Sequence, residues 1–233
     1  MKFLRRIFRL LIAIILIALV SFIIVKVFLG EPKPSGEGGV RAERLADRML
    51  EVLNYEAYQE LEEIRWTFAR GNHHYVWRKK VDSVEVSWDD HRVLMNTNTL
   101  EGSAFMSGTE LSGSAARELL ETAWKYFAND SFWLVAPFKV KDPGTQLELV
   151  TTDIGHGLLV TYTSGGVTPG DSYLWILDNK DRPIAWQMWV SIIPIGGLEL
   201  TWEGWESYEG VWFATRHESA IPLSVNITNL EVK

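Results

Sequence analysis

The chain has 233 residues, with 30 acidic side chains against 23 basic ones and no cysteine. The missing thiol excludes disulfides, thiol nucleophiles, cysteine zinc sites and iron–sulfur clusters. Five basic residues (Lys2, Arg5, Arg6, Arg9, Lys26) precede Glu31, the first acidic one; the 18 basic against 30 acidic side chains beyond them, a balance of −12, argue against a nucleic-acid partner.

Leu10 to Val25 is an unbroken apolar run with Ser21 its only polar member, and Val27 to Leu29 extend it past Lys26. A helix needs about 20 apolar residues to cross a bilayer, which Leu10–Leu29 supplies. Lys26 can snorkel to the far interface. The four basic residues before the run hold the N-terminus in the cytoplasm. A cleaved secretory signal is the competing reading. The run is longer than the roughly 7–15 residues of a signal core, and no small-x-small cleavage site follows it. The expectation is a single-pass inner-membrane protein: a basic tail at 1–9, an anchor at 10–29, a linker at 30–39 and an extracytoplasmic domain at 40–233.

The linker, rich in Pro and Gly, is expected to let the domain stand off the membrane. Val40–Glu60 reads as one amphipathic helix, with Ala42, Leu45, Met49, Val52 and Leu53 on one face. Strand patterns follow: Ile64–Phe68, Tyr75–Trp77, Val84–Trp88, His91–Thr97 and Gly102–Met106, an antiparallel meander with short turns. Ser114–Ala128 reads as a second helix, its apolar face carrying Ala115, Leu119, Leu120, Trp124 and Phe127. Eight more strands are expected at 134–140, 147–152, 157–163, 172–177, 184–192, 198–208, 211–218 and 223–230. About a dozen strands with two main helices predict a mainly β (α+β) fold. An open antiparallel sheet that wide curls, giving a half-open barrel with helices in its concavity.

Eleven tryptophans lie beyond the anchor, material for a core that has no disulfide to help it. Trp186 and Met188 face one side of a strand while Trp189 faces the other. A sheet with large apolar groups on both faces must have both covered, or bind something apolar on one. Candidate cavity-lining residues are Trp66, Phe68, Trp77 and Trp88 of the first meander. Trp175, Trp186, Met188 and Trp202 of the later strands join them. Arg70 and His74 are candidate rim groups for a polar head group. Ser191–Leu198 is an apolar segment broken by Pro and Gly, read either as a hairpin tip that enters a membrane or gates a cavity, or as a turn packed on the rim.

Metal and cofactor sites are not expected. His73 and His74 point to opposite faces of a strand, and His91, His156 and His217 are isolated. No nucleophile elbow or phosphate loop occurs. Glu199, Glu203 and Glu206, beside Trp202 and Trp205, have the residue types a glycosidase uses. Asp130, Asp142 and Asp171 read as turn and cap residues, or as partners for Arg70.

The order of elements resembles the LolA-like lipoprotein-sorting fold, a half-open barrel whose apolar cavity holds acyl chains. Three stretches, WTFARGNHHYVW (66–77), NDSFWLVAPFKVKDPGT (129–145) and SGGVTPGDSYLWILD (164–178), resemble an uncharacterised Bacteroidetes-type family of envelope proteins. The resemblance implies a non-enzymatic tethered domain that binds a lipid, an acyl chain or a lipoprotein in the concavity. The alternatives are an envelope scaffold domain and a carbohydrate-active enzyme using the three glutamates.

Overall fold

A computed structural model describes residues 12, 30–164, 168–193 and 195–233. The expected anchor at 10–29 and the basic tail lie outside the described residues, apart from Ile12. No helix among the described residues is long and apolar enough to cross a membrane.

The domain is mainly β, with sixteen strands in three sheets among the described residues, none of these sheets closed into a barrel. In chain order they are β1 (37–38), β2 (63–68), β3 (73–78), β4 (83–88), β5 (91–96), β6 (102–106), β7 (109–110) and β8 (145–152). They continue with β9 (155–162), β10 (172–177), β11 (183–189), β12 (198–201), β13 (206–208), β14 (211–213), β15 (216–218) and β16 (224–232). The helices are α1 (Val40–Val52), α2 (Tyr55–Glu60) and α3 (Gly113–Val135). One antiparallel sheet has the order β15-β16-β2-β3-β4-β5-β6-β7, a second has β1-β8-β9-β10-β11-β12, and β13-β14 is a separate ribbon. The two large sheets meet at an antiparallel bridge between Glu203 and Arg216. The expected single curved sheet is thus two sheets joined at a seam.

Each sheet buries one face of alternating side chains. In β4, Val84, Val86 and Trp88 are buried while Ser83, Glu85 and Ser87 between them are less so. The helix α3 lies between the two cores. Its Ala123, Phe127, Leu134 and Val135 join the cluster on the eight-stranded sheet, and its Phe132 and Trp133 pack on the cluster of the six-stranded one. Trp66, Trp175, Trp186 and Trp202 are among the largest fully buried side chains. Each removes about 150–250 Å² from water, roughly 4–6 kcal/mol of transfer free energy.

Three local expectations change. The single helix at 40–60 is two, because Asn54 takes a left-handed conformation (φ 60°), with its Oδ1 accepting from the Ala57 N–H and its Nδ2 donating to the Gly210 carbonyl. The second helix runs to Val135, and the strand expected at 134–140 is its last turn followed by a 3₁₀ turn at Ala136–Lys139. The run Phe132-Trp133-Leu134-Val135 looks strand-like because all four residues are apolar: the helix meets both cores here, and no polar face marks its period. The strands expected at 198–208 and 211–218 are each two short strands; Gly204 (φ 68°) sits in the first interruption.

The linker does not stand free. Glu31 donates its N–H to the Gly196 carbonyl (2.8 Å) and accepts the Trp189 indole N–H (2.8 Å). Lys33 reaches Ser172, and Glu37–Gly38 pairs with β8. This strap covers the outer face of the six-stranded sheet, where Val150, Leu159, Leu174 and Trp189 form a small apolar cluster. A Cβ on Gly36 would lie 2.4 Å from the Leu149 carbonyl oxygen, so only glycine lets the strap approach that closely. Gly36→Ala is expected to cost about 1–3 kcal/mol. It should also raise amide exchange in residues 31–38; unchanged exchange there would mean that the strap is not held by this contact.

Candidate functional site

A cavity of about 600 Å³ opens between α3 and the two sheets. One wall is a helical stripe at three- and four-residue spacing: Trp124, Phe127, Ala128, Ser131, Phe132 and Val135. The facing wall is the inner side of the six-stranded sheet, from Tyr162 on β9, Tyr173 on β10, and Trp186 and Met188 on β11. Trp77 on β3 contributes from the eight-stranded sheet. Register explains the second wall. Tyr173 pairs with Val160 on one side and Met188 on the other, so all three side chains share the inner face.

Trp186 is fully buried at the centre of an aromatic cluster. Its ring lies 5.0 Å from Trp175, 5.0 Å from Trp202, 5.2 Å from Trp133 and 4.7 Å from Tyr173. The indole Nε1 atoms of Trp175, Trp186 and Trp202 have no hydrogen-bond partner among the described residues. A buried donor without a partner costs free energy.

The polar residues gather at the loops. Lys139 forms an ion pair with Asp142, and its carbonyl accepts from the Tyr162 hydroxyl at 3.4 Å. The Asp171 carboxylate accepts the Ser191 N–H at 2.9 Å. Lys125 and Asn129 are exposed on α3 beside the opening. Burial pushes the Tyr162 and Tyr173 phenols above their ordinary range, with Asp142 and Asp171 respectively adding to it, so both stay neutral. The wall is uncharged and its lip carries both signs.

A second polar group lies beneath α3. Asp130 is 2% exposed. One of its carboxylate oxygens accepts from the Tyr75 hydroxyl and from His73 Nδ1, both at 2.6 Å; the other accepts from Asn129 at 2.8 Å. The His73 ring stacks on Tyr126 at 4.1 Å. This network fastens α3 to β3, and of its members only Asn129 lines the cavity.

Of the candidate lining residues, Trp77, Trp186 and Met188 line the cavity. Trp175 and Trp202 stand behind Trp186 in the core of the six-stranded sheet. Trp66, Phe68 and Trp88 are buried in the other core, where Trp66 stacks on Tyr75 at 4.5 Å. Neither candidate rim group is at the opening. Arg70 is exposed in the β2–β3 turn and pairs with none of Asp130, Asp142 and Asp171. His74 is exposed, and its Nδ1 meets the Thr67 hydroxyl at 3.0 Å across that hairpin. The reason is strand parity: His74 alternates with Tyr75, so when Tyr75 faces the core His74 must face away.

The three glutamates are each engaged locally: Glu199 with Gln187, Glu203 with Arg216 (3.3 Å), and Glu206 with the Tyr208 hydroxyl (2.9 Å). None lines the cavity. Among the described residues no cluster of three His, Asp or Glu has the placement of a metal site. Phe132, Trp133, Tyr162, Tyr173 and Lys139 are lining residues not picked out from sequence. The signal for Phe132 is the continuation of the stripe 124-127-128 to 131-132-135, hidden by ending the helix at Ala128.

The fold and the cleft define a half-barrel-like β protein with one helix laid across an aromatic-lined cavity. No family model and no curated protein matches the chain. Among solved structures it is similar to the crystal structure of a DUF1329 family protein from Desulfovibrio piger, at 12% identity and a TM-score of 0.41 over 82% of this chain and 92% of that one.

Proposed function

We propose that this protein is a membrane-tethered envelope domain of LolA-like type. It binds an acyl chain, of a lipid or of a lipoprotein, in the cavity between α3 and the six-stranded sheet, and carries out no chemistry on it. The observation that supports this reading best is the cavity itself. Its size lies within the roughly 300–1,000 Å³ of small-molecule sites, and its walls are tryptophan, phenylalanine, tyrosine and methionine. Each methylene moved from water into such a wall contributes about 0.8 kcal/mol. A chain of about twelve therefore offsets much of the roughly 4–15 kcal/mol that association costs. The apolar run at 10–29 supports the tether, and the lip residues Lys125, Lys139 and Asn129 suit a polar head group.

The test is native mass spectrometry of residues 30–233 purified without detergent, followed by organic extraction. A discrete extra mass that extracts as lipid is the expected result. A clean mass with no uptake of added fatty acid or lipopeptide would overturn the reading and favour an interaction domain. Ala128 is half-buried on the cavity wall, so Ala128→Trp should fill it. Retained lipid is expected to fall about tenfold or more, the effect of about 1.4 kcal/mol in binding. Full retention in that variant would place the lipid elsewhere.

A further inference from the structure

The strand ends decide which way the cavity opens. Thr145, Tyr162, Ser172 and Trp189 lie at one end of the six-stranded sheet, where β8–β9 and β10–β11 begin and end their pairing. Thr152, Gly155, Leu177 and Pro183 mark the other end. The loop residues at the cavity's lip, Asp142, Ser164, Asp171 and Ile192, all attach at the first end.

That same end receives the chain as it leaves the apolar run. Glu31 is two residues past Leu29 and is held at both its N–H and its carbonyl by the β11–β12 connection and Trp189. Two extended residues reach about 7 Å. Ile192, at 69%, is the most exposed large apolar side chain among the described residues, and it belongs to that connection; Ile193 beside it lines the cavity. Ile192 differs from the other exposed apolar side chains in its place, on the lip of an apolar cavity and next to the exit of an apolar run, which together suit a hydrocarbon surface.

We infer that the cavity opens onto the bilayer surface, with Ile192 seated in its interfacial layer, so that an acyl chain passes between membrane and cavity without crossing water. The inference rests on the proposed span at 10–29 and on the cavity as an acyl site. The contact is apolar, because a domain with a −12 balance gains nothing from anionic head groups. Fixing Glu31 to the lip holds this orientation, whereas a free tether would let the opening point anywhere.

The absence of native cysteine allows a direct test. In the full chain, Ile192→Cys, Ile154→Cys and Val81→Cys are each labelled with an environment-sensitive nitrobenzoxadiazole dye and reconstituted in phosphatidylcholine nanodiscs. Ile154 and Val81 are nearly as exposed as Ile192, at 62% and 64%. Ile154 lies in the β8–β9 turn at the far end of the sheet, and Val81 in a turn of the other sheet. Emission at 192 is expected to shift to the blue and to be quenched by lipid carrying a shallow nitroxide, while 154 and 81 show neither. Salt at about 1 M, where screening acts within about 3 Å, should leave the signal at 192 unchanged. A probe at 192 that behaves like the one at 154 overturns the inference. The lipid extracted from residues 30–233 reads the cavity independently, so loss of the orientation and loss of the acyl site are distinguishable. A chain that leaves the nanodisc without detergent overturns the span, and the orientation with it.

Discussion

Asp130→Ala is expected to lower stability by about 1–3 kcal/mol, read as a fall in the urea midpoint with little change in slope. The size follows from what the substitution leaves behind. The Tyr75 hydroxyl and His73 Nδ1 both donate to one buried carboxylate oxygen, and Tyr75 itself is 2% exposed. Burial and the adjacent Asp130 push the Tyr75 phenol far above its ordinary range, so it stays a donor at every accessible pH. Alanine removes the acceptor and a methyl-lined gap replaces it, stranding a buried hydroxyl that water cannot easily reach. Asp130→Asn keeps the shape and one acceptor oxygen, so it should lose less than the alanine variant. Equal losses in the two would show that packing, not hydrogen bonding, fixes α3 on the sheet.

The second large effect is acid sensitivity from His217. This residue on β15 has no exposed surface, sits 4.4 Å from the Trp202 ring and 5.5 Å from Trp133, and meets the Thr201 carbonyl through Nδ1 at 3.1 Å. Burial pushes its pKa down to about 4 from the ordinary 6.5, with backbone hydrogen bonding opposing it. The native ring is therefore neutral where the unfolded ring has already taken a proton. The unfolded state binds more protons between about pH 6.5 and 4, so stability falls as pH falls through that window and is retained above it. At 1.36 kcal/mol per pH unit, the loss is about 3 kcal/mol by pH 4. His217→Phe has no proton to take up and loses one backbone contact, about 1 kcal/mol. It should be slightly less stable than the parent at pH 7 and more stable at pH 4. Parallel stability–pH curves for the two proteins would exclude His217 as the source.

Period-two alternation made most of the strands legible in the sequence, because each sheet has one wet or loosely covered face. Val84-Glu85-Val86-Ser87-Trp88 became β4 without revision. The same rule separated Trp186 from Trp189, which lie on opposite faces, one on the cavity wall and one under the strap. Where a helix meets both cores and is apolar all round, no polar face marks its period, and 132–135 reads as strand on that account. Asp130 reads as a turn residue for a related reason: with the helix ended at Ala128, its partners, on a strand more than fifty positions earlier, have no visible connection to it. The linker failed differently. Its Pro and Gly content signals absence of regular structure, which is not absence of contact, and Gly36 is there to permit a close approach.

The pairing of β16 with β2 has a consequence for biogenesis. Residues 224–232 form the strand beside 63–68, and Lys233 exchanges backbone hydrogen bonds with Glu62 and Glu63. During synthesis β2 must wait, with one edge unpaired, for some 160 residues of later chain to emerge. For that interval the meander is sticky and incomplete. A holding chaperone that covers this open edge would matter most then, before the last strand arrives to close the sheet.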